Sequence, residues 1–224
     1  MTGTTRRIAL LTVVAAFTGL LGTACGSDDD RSARPTGDIV PAGSRCVVRL
    51  HGKGGSGAPT TTAADVATIA PTGNADGWGA RQWLYASEDD YDEARAIVAT
   101  AAEPCGEVII DGFSNGASFA AALYCAGETL DGRLVGVVVD DPVTDHAVDG
   151  CAPDPSVTVA LYATGALEAQ APAGWSCADG DWTCKGGDVI GIDAWARALG
   201  VPRQQSPHTD HQPYLDPPEL ARWR

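Results

Sequence analysis

Six residues have the types and positions to do chemistry together: Ser114, His211, Glu168, Asp140, Asp141 and His51. A serine hydroxyl is a weak nucleophile until a nearby imidazole takes its proton, and the imidazolium that forms needs a carboxylate to hold it. Such a set attacks a carbonyl carbon and passes the acyl group on. Ser114 lies at the centre of Gly112-Phe113-Ser114-Asn115-Gly116, between the apolar run 107–110 and the small-residue run 117–124. Strand, G-x-S-x-G and helix in that order are the context of a nucleophile elbow. The turn is sharp enough that a side chain at either glycine would clash. It lifts the hydroxyl to a helix N-terminus, where the dipole favours developing negative charge.

The elements that must position these groups follow from hydrophobic patterning. Strands are expected at 46–50, ending at His51, and at 82–85, 107–111, 134–139, 157–162 and 203–206. The run 134–139 is continuously apolar, as for a strand buried on both faces. Helices are expected at 91–102 with Asp90 as N-cap, at 117–125, within 189–199 before Gly200 and Pro202, and at 218–223. Strands alternating with helices imply a mostly parallel sheet, whose ligands bind beyond the carboxyl ends of the strands. His51, Ser114, Asp140, Asp141, Glu168 and His211 all fall at such ends.

With these residues in view, the chain resembles the α/β-hydrolase family, of the serine esterase or lipase type, over roughly 45–224. The matches come in the family's chain order. His51-Gly52-Lys53-Gly54-Gly55 after a strand resembles the family's oxyanion loop. The resemblance implies that the N–H of Lys53 or Gly54 and that of Asn115 bind the oxyanion, with His51 shaping the loop rather than acting as base. Ser114 is the implied nucleophile. Gly165-Ala166-Leu167-Glu168 resembles the family's acid-bearing turn, which makes Glu168 the first candidate for the acid, with Asp140 or Asp141 as the alternative. His211-Gln212-Pro213 resembles the segment that carries the catalytic histidine, with His208 its neighbouring rival. The fold class so implied is α/β, an α/β-hydrolase fold with a small, mostly parallel sheet of about six strands flanked by helices, and without a large cap domain. No metal or organic cofactor is implied.

The ends and composition bound the setting. Residues 1–25 read as a signal peptide: Arg6 and Arg7 precede an apolar stretch at 8–21, too short to span a membrane, and Gly22-Thr23-Ala24 precede Cys25. That end resembles a bacterial lipobox and makes Cys25 the expected lipidation site, with palmitate among the acyl chains; plain secretion is the alternative. Residues 26–44 are rich in Gly, Asp, Pro and Ser and read as a flexible linker, which leaves 45–224 as one domain. The net charge of −14 and the presence of only two lysines, Lys53 and Lys185, exclude nucleic acid as a partner. Seven cysteines are present. With Cys25 set aside, the other six suit disulfides in an exported domain. Cys46 and Cys105 open strands that could be neighbours, Cys177 and Cys184 bracket a short loop, and Cys125 and Cys151 are left to pair.

The expected protein is therefore a cell-surface, lipid-anchored serine hydrolase acting on small-molecule or lipid esters. Two alternatives stay open: a non-catalytic ligand-binding lipoprotein on the same scaffold, and an envelope acyltransferase.

Overall fold

Along β1 (Ser44–Leu50), Cys46, Val48 and Leu50 point to one side of the sheet and Val47 to the other, and all four are buried. A strand covered on both faces needs neighbours on both edges, and β1 lies near the middle of a seven-stranded sheet. In the computed structural model, residues 37–63, 65–77, 80–142, 151–164, 192–206, 208 and 210–213 are described. They lie within one unit, Pro35–Arg224. The elements in chain order are β1, β2 (Ala58–Ala63), β3 (Val66–Ala70), β4 (Ala75–Gly77), β5 (Ala80–Gln82), α1 (Glu88–Ala101), β6 (Cys105–Phe113), α2 (Asn115–Cys125), β7 (Leu134–Asp140), β8 (Thr158–Ala163), α3 (Ile192–Leu199) and β9 (Arg203–Gln205).

The strand order is β2-β3-β1-β6-β7-β8-β9, parallel except at the β2–β3 hairpin, and β4 and β5 form a separate antiparallel ribbon. The fold is thus α/β with a mostly parallel central sheet, as the alternating pattern requires. The hairpin at 58–70 raises the count above the six strands expected. Its edge strand is threonine-rich and largely exposed, so it carries little of the hydrophobic signal that reveals a strand.

One core cluster joins Val48, Leu50, Val108, Ile110, Val137, Val139 and Leu161 of the sheet to the helices. On it, α1 lays down a narrow stripe of Ala94 and Val98, while α2 is buried on nearly every side from Gly116 to Tyr124. Helix α2 contacts β1, β6 and β7, which explains its small residues: bulk would hold it off the strands. Trp195 and Leu199 of α3 are buried in the same cluster. The opposite face of the sheet carries Val47, Ile109, Val138, Ala160 and Tyr162. Arg49 and Asp111 are register partners on that face, with Nε and Oδ2 2.7 Å apart. Burial pushes the Asp111 carboxyl up, and the Arg49 charge beside it works against that rise.

Several boundaries differ from the sequence reading. The strand expected at 82–85 ends at Gln82, because side-chain amides take the backbone groups that follow: Asn115 binds Trp83, and Asn74 binds Leu84. Helix α1 begins earlier than expected. Ser87 is its N-cap, with its hydroxyl accepting the Asp90 N–H, so Asp90 lies within the first turn and is not the cap. Residues 37–43 of the expected linker already bond to the domain: the Asp38 N–H donates to Thr60 and its carboxylate accepts from Thr62, while the Gly43 N–H donates to Pro104. The expected closing helix at 218–223 lies outside the described residues.

Two of the expected disulfides are present. Cys46–Cys105 joins the starts of β1 and β6, with Cα atoms 5.8 Å apart, and Cys125–Cys151 ties the end of α2 to the segment before β8, with Cα atoms 4.3 Å apart. Cys177 and Cys184 lie outside the described residues. Replacing Cys46 and Cys105 together by alanine frees a loop of 59 residues. The expected loss of unfolding free energy is about 2–5 kcal/mol, read as a fall in urea midpoint at unchanged slope.

Candidate active site

The elbow is built by close packing of backbone on backbone. A Cβ on Gly112 would lie 2.3 Å from the Gly116 carbonyl oxygen, and one on Gly116 would lie 2.2 Å from that of Leu50. Real Cβ atoms do not approach oxygen so closely, so each outer position of the pattern must be glycine. Ser114 between them has φ 56° and ψ −119°, a conformation that costs a non-glycine residue of order 1–3 kcal/mol. The surrounding bonds hold it there. The Ser114 N–H donates to the Asp140 carbonyl at 2.9 Å, and the Ser114 carbonyl accepts the Ala117 and Ser118 N–H groups at 3.0 and 3.1 Å. The N–H groups of Asn115 and Gly116 have no acceptor among the described residues, as expected for the first turn of α2.

Opposite Ser114 lies the glycine loop after β1. A Cβ on Gly52 would sit 3.1 Å from Ser114 Cβ and from a Phe113 ring carbon, so the loop backs directly onto the elbow. The His51 ring is bonded at both nitrogens: Nε2 accepts the Gly73 N–H at 3.0 Å, which leaves Nδ1 to donate to the Gly52 carbonyl at 2.7 Å. Those two bonds suit a neutral imidazole locked in one tautomer. Of the two loop donors expected for an oxyanion, Gly54 has its N–H bonded to the Arg81 carbonyl at 2.8 Å. An oxyanion at the Gly54 N–H would compete with the Arg81 carbonyl for it.

His211 lies over Phe113, the residue before the serine, with ring centroids 4.6 Å apart. Its Nδ1 is 3.0 Å from Asp141 Oδ2. Asp141 follows the last residue of β7 and takes φ 51°, a left-handed turn that aspartate tolerates. It is 1% exposed. Thr164, just beyond β8, donates its N–H to Asp141 Oδ1 at 2.8 Å and its hydroxyl to Oδ2. Burial alone would push this carboxyl up. The hydrogen bonds from His211 and Thr164 and the His211 charge outweigh burial and hold it below the ordinary carboxylate range. An ionised Asp141 only accepts, so Nδ1 of His211 carries the hydrogen that lies between them.

The acid beside His211 is therefore Asp141, one of the two alternatives to Glu168. Asp140 is buried, and its carbonyl serves the elbow. Glu168 lies outside the described residues, as does Cys25. Thr164 and Phe113 have no motif that announces them. Only the parallel register of β7 and β8, which sets Asp140 beside Tyr162, brings Thr164 to Asp141.

No family model and no curated protein matches the chain. Among solved structures it is similar to a carboxylesterase from Bacillus cereus, at 17% identity over 83% of this chain and 87% of the other, with a TM-score of 0.48. It is similar also to a phospholipase/carboxylesterase from Dyadobacter fermentans DSM 18053, at 17% identity over 83% and 90%, with a TM-score of 0.48. A carboxylesterase from Mesorhizobium loti has 17% identity over 79% and 85%, also with a TM-score of 0.48.

A lowered carboxyl stabilises the folded state above the ordinary carboxylate range, and that contribution is lost as pH falls through its folded value. The wild type is expected to be more stable than Asp141→Asn at about pH 7, and the gap to shrink at about pH 3. Urea midpoints at both values measure it.

Proposed function

We propose that this protein is a serine hydrolase that cleaves carboxylic esters through an acyl-enzyme. The observation that carries the reading is the His211–Asp141 hydrogen bond held against the strained Ser114 elbow. Ser114 Oγ attacks the ester carbonyl while His211 Nε2 takes its proton, then returns it to the leaving alcohol. Asp141 keeps the hydrogen on Nδ1 and stabilises the imidazolium. The developing oxyanion is met by the Asn115 N–H, at the start of α2, and by a loop N–H, that of Lys53 or Gly54. Water activated by His211 then releases the acid. The substrate is a small-molecule or lipid ester.

The test is covalent labelling of the protein by a fluorophosphonate probe, read by intact mass. Labelling is expected in the wild type and absent in Ser114→Ala. Asp141→Asn should lower kcat on an aryl ester by about 10²–10⁴-fold, because it loses the charge and the tautomer control, whereas Glu168→Gln should retain wild-type kcat. Full labelling of Ser114→Ala would remove the nucleophile from this scheme. A large loss in Glu168→Gln with none in Asp141→Asn would move the acid to Glu168.

The same proposal covers location. The apolar run 8–21 and the Gly22-Thr23-Ala24-Cys25 end support export and lipid attachment at Cys25, which would hold the enzyme at the outer face of the cell membrane. In cells fed an alkyne palmitate analogue, the wild type should take up label and sediment with membranes. Cys25→Ser should be unlabelled and soluble, and label retained in that variant would rule out this anchor.

A further inference from the structure

The side chain of Asn115 is spent on the backbone of one distant residue. Its Oδ1 accepts the Trp83 N–H at 2.7 Å and its Nδ2 donates to the Trp83 carbonyl at 3.1 Å. Both polar groups of the peptide chain at Trp83 are thus held by one carboxamide, although Trp83 is in no sheet. The Trp83 ring is 1% exposed. It stacks on Phe119 of α2, with centroids 5.3 Å apart, and its centroid lies 5.6 Å from that of His51. Two residues before Trp83, the Arg81 carbonyl takes the Gly54 N–H of the glycine loop. The His51 ring also bonds the Gly73 N–H, and the Arg81 guanidinium returns to the Gly73 carbonyl at 3.3 Å.

These contacts make one continuous path. It starts at the residue after the serine, passes through Trp83 and Arg81, and ends on the glycine loop. The two backbone donors of an oxyanion hole lie at its two ends, on different elements: α2 and the loop after β1. The packing of Gly52 on Ser114 and Phe113 sets how closely the loop backs onto the elbow, and the bonds through Trp83 and Arg81 add a second restraint on the separation of the donors. A developing oxyanion is stabilised only by donors about 2.7–3.1 Å from where its charge forms, so a small shift of one element against the other costs rate.

We propose that Asn115 is a positioning residue that sets the spacing of the two oxyanion donors by clamping the 81–83 segment to the elbow. This deepens the hydrolase reading and rests on it. Its backbone N–H meets the oxyanion, while its side chain acts through Trp83 and Arg81 on the loop that supplies the second donor. The clamp does not touch the ground-state ester, so its loss falls on the transition state.

The experiment uses Asn115→Ala, which keeps the backbone N–H and removes both bonds to Trp83. The expected result is a fall in kcat on an aryl ester of roughly 10–100-fold with KM changed less than about twofold. The inhibition constant of a trifluoromethyl ketone, which forms the tetrahedral oxyanion on the serine, should rise by the same factor as kcat/KM falls. A residue serving stability alone would lower the melting temperature and leave the kcat of the folded fraction and the inhibitor constant unmoved. Where Asn115→Ala does not fold, Asn115→Asp keeps the shape and the bond from the Trp83 N–H, loses the one to its carbonyl, and should show the same split between kcat and KM. Wild-type kcat in either folded variant overturns the proposal, as does a loss confined to KM. Failure of the fluorophosphonate to label the wild type would sink the hydrolase reading and this inference with it. Labelling of the wild type with unaltered turnover in the variants would sink this inference alone.

Discussion

The contact on which the rest of this architecture turns is the approach of α2 to the ends of β1 and β6, with no side chain between them. Gly112 and Gly116 permit it, and the Leu50 and Gly116 carbonyls fill the space that Cβ atoms would need. Once α2 sits that close, it must be small and apolar on nearly every side, and it is. Ser114 is forced into a costly conformation at its N-terminus, where the N–H groups of Asn115 and Gly116 have no acceptor among the described residues. The strain is held by bonds from two directions, the Asp140 carbonyl behind the turn and the first turn of α2 ahead of it, and by the glycine loop packed against its side. Local backbone strain persists only when the surroundings over-determine it, and here they do.

Around that contact the sheet acts as a ruler. Parallel pairing of β6, β7 and β8 ends those strands at Phe113, Asp140 and Ala163, so the residues just beyond them meet at one edge. Ser114, Asp141 and Thr164 are those residues. Asp141 needs no lid or insertion to find His211, because the left-handed turn at Asp141 aims its carboxylate where Thr164 can bond both oxygens. The disulfide Cys125–Cys151 ties the far end of α2 to the same β7–β8 connection that begins at Asp141. The helix that follows Ser114 is thus tied at its start to Asp140 and at its end to the segment that follows Asp141.

Much of this was legible in the residues alone. The elbow, the strand before it and the helix after it follow from G-x-S-x-G between an apolar run and a run of small residues. The pairing of Cys46 with Cys105 follows from their places at the starts of two neighbouring strands. What was not legible has a common cause. The β2–β3 hairpin was silent because an exposed, threonine-rich edge strand buries little apolar surface. The strand expected at 82–85 stops at Gln82 because Asn115 and Asn74, far away in the chain, satisfy the backbone that a neighbouring strand would otherwise have to serve.

The division is sharpest at the acid. Motif order pointed first to Glu168 and kept Asp140 and Asp141 as alternatives, since two adjacent carboxylates at a strand end look alike in a sequence. Strand register and one left-handed residue separate them: the carbonyl of Asp140 turns to the elbow, and the carboxylate of Asp141 turns to His211. Local chemistry such as glycine content, alternation and small-residue runs is written in consecutive residues, because sterics and burial act over a few positions. The choice among carboxylates, the commitment of the Gly54 N–H and the clamp of Asn115 on Trp83 depend on hydrogen bonds between residues tens of positions apart. Those bonds exist only after the sheet has set its register, so no stretch of sequence carries them.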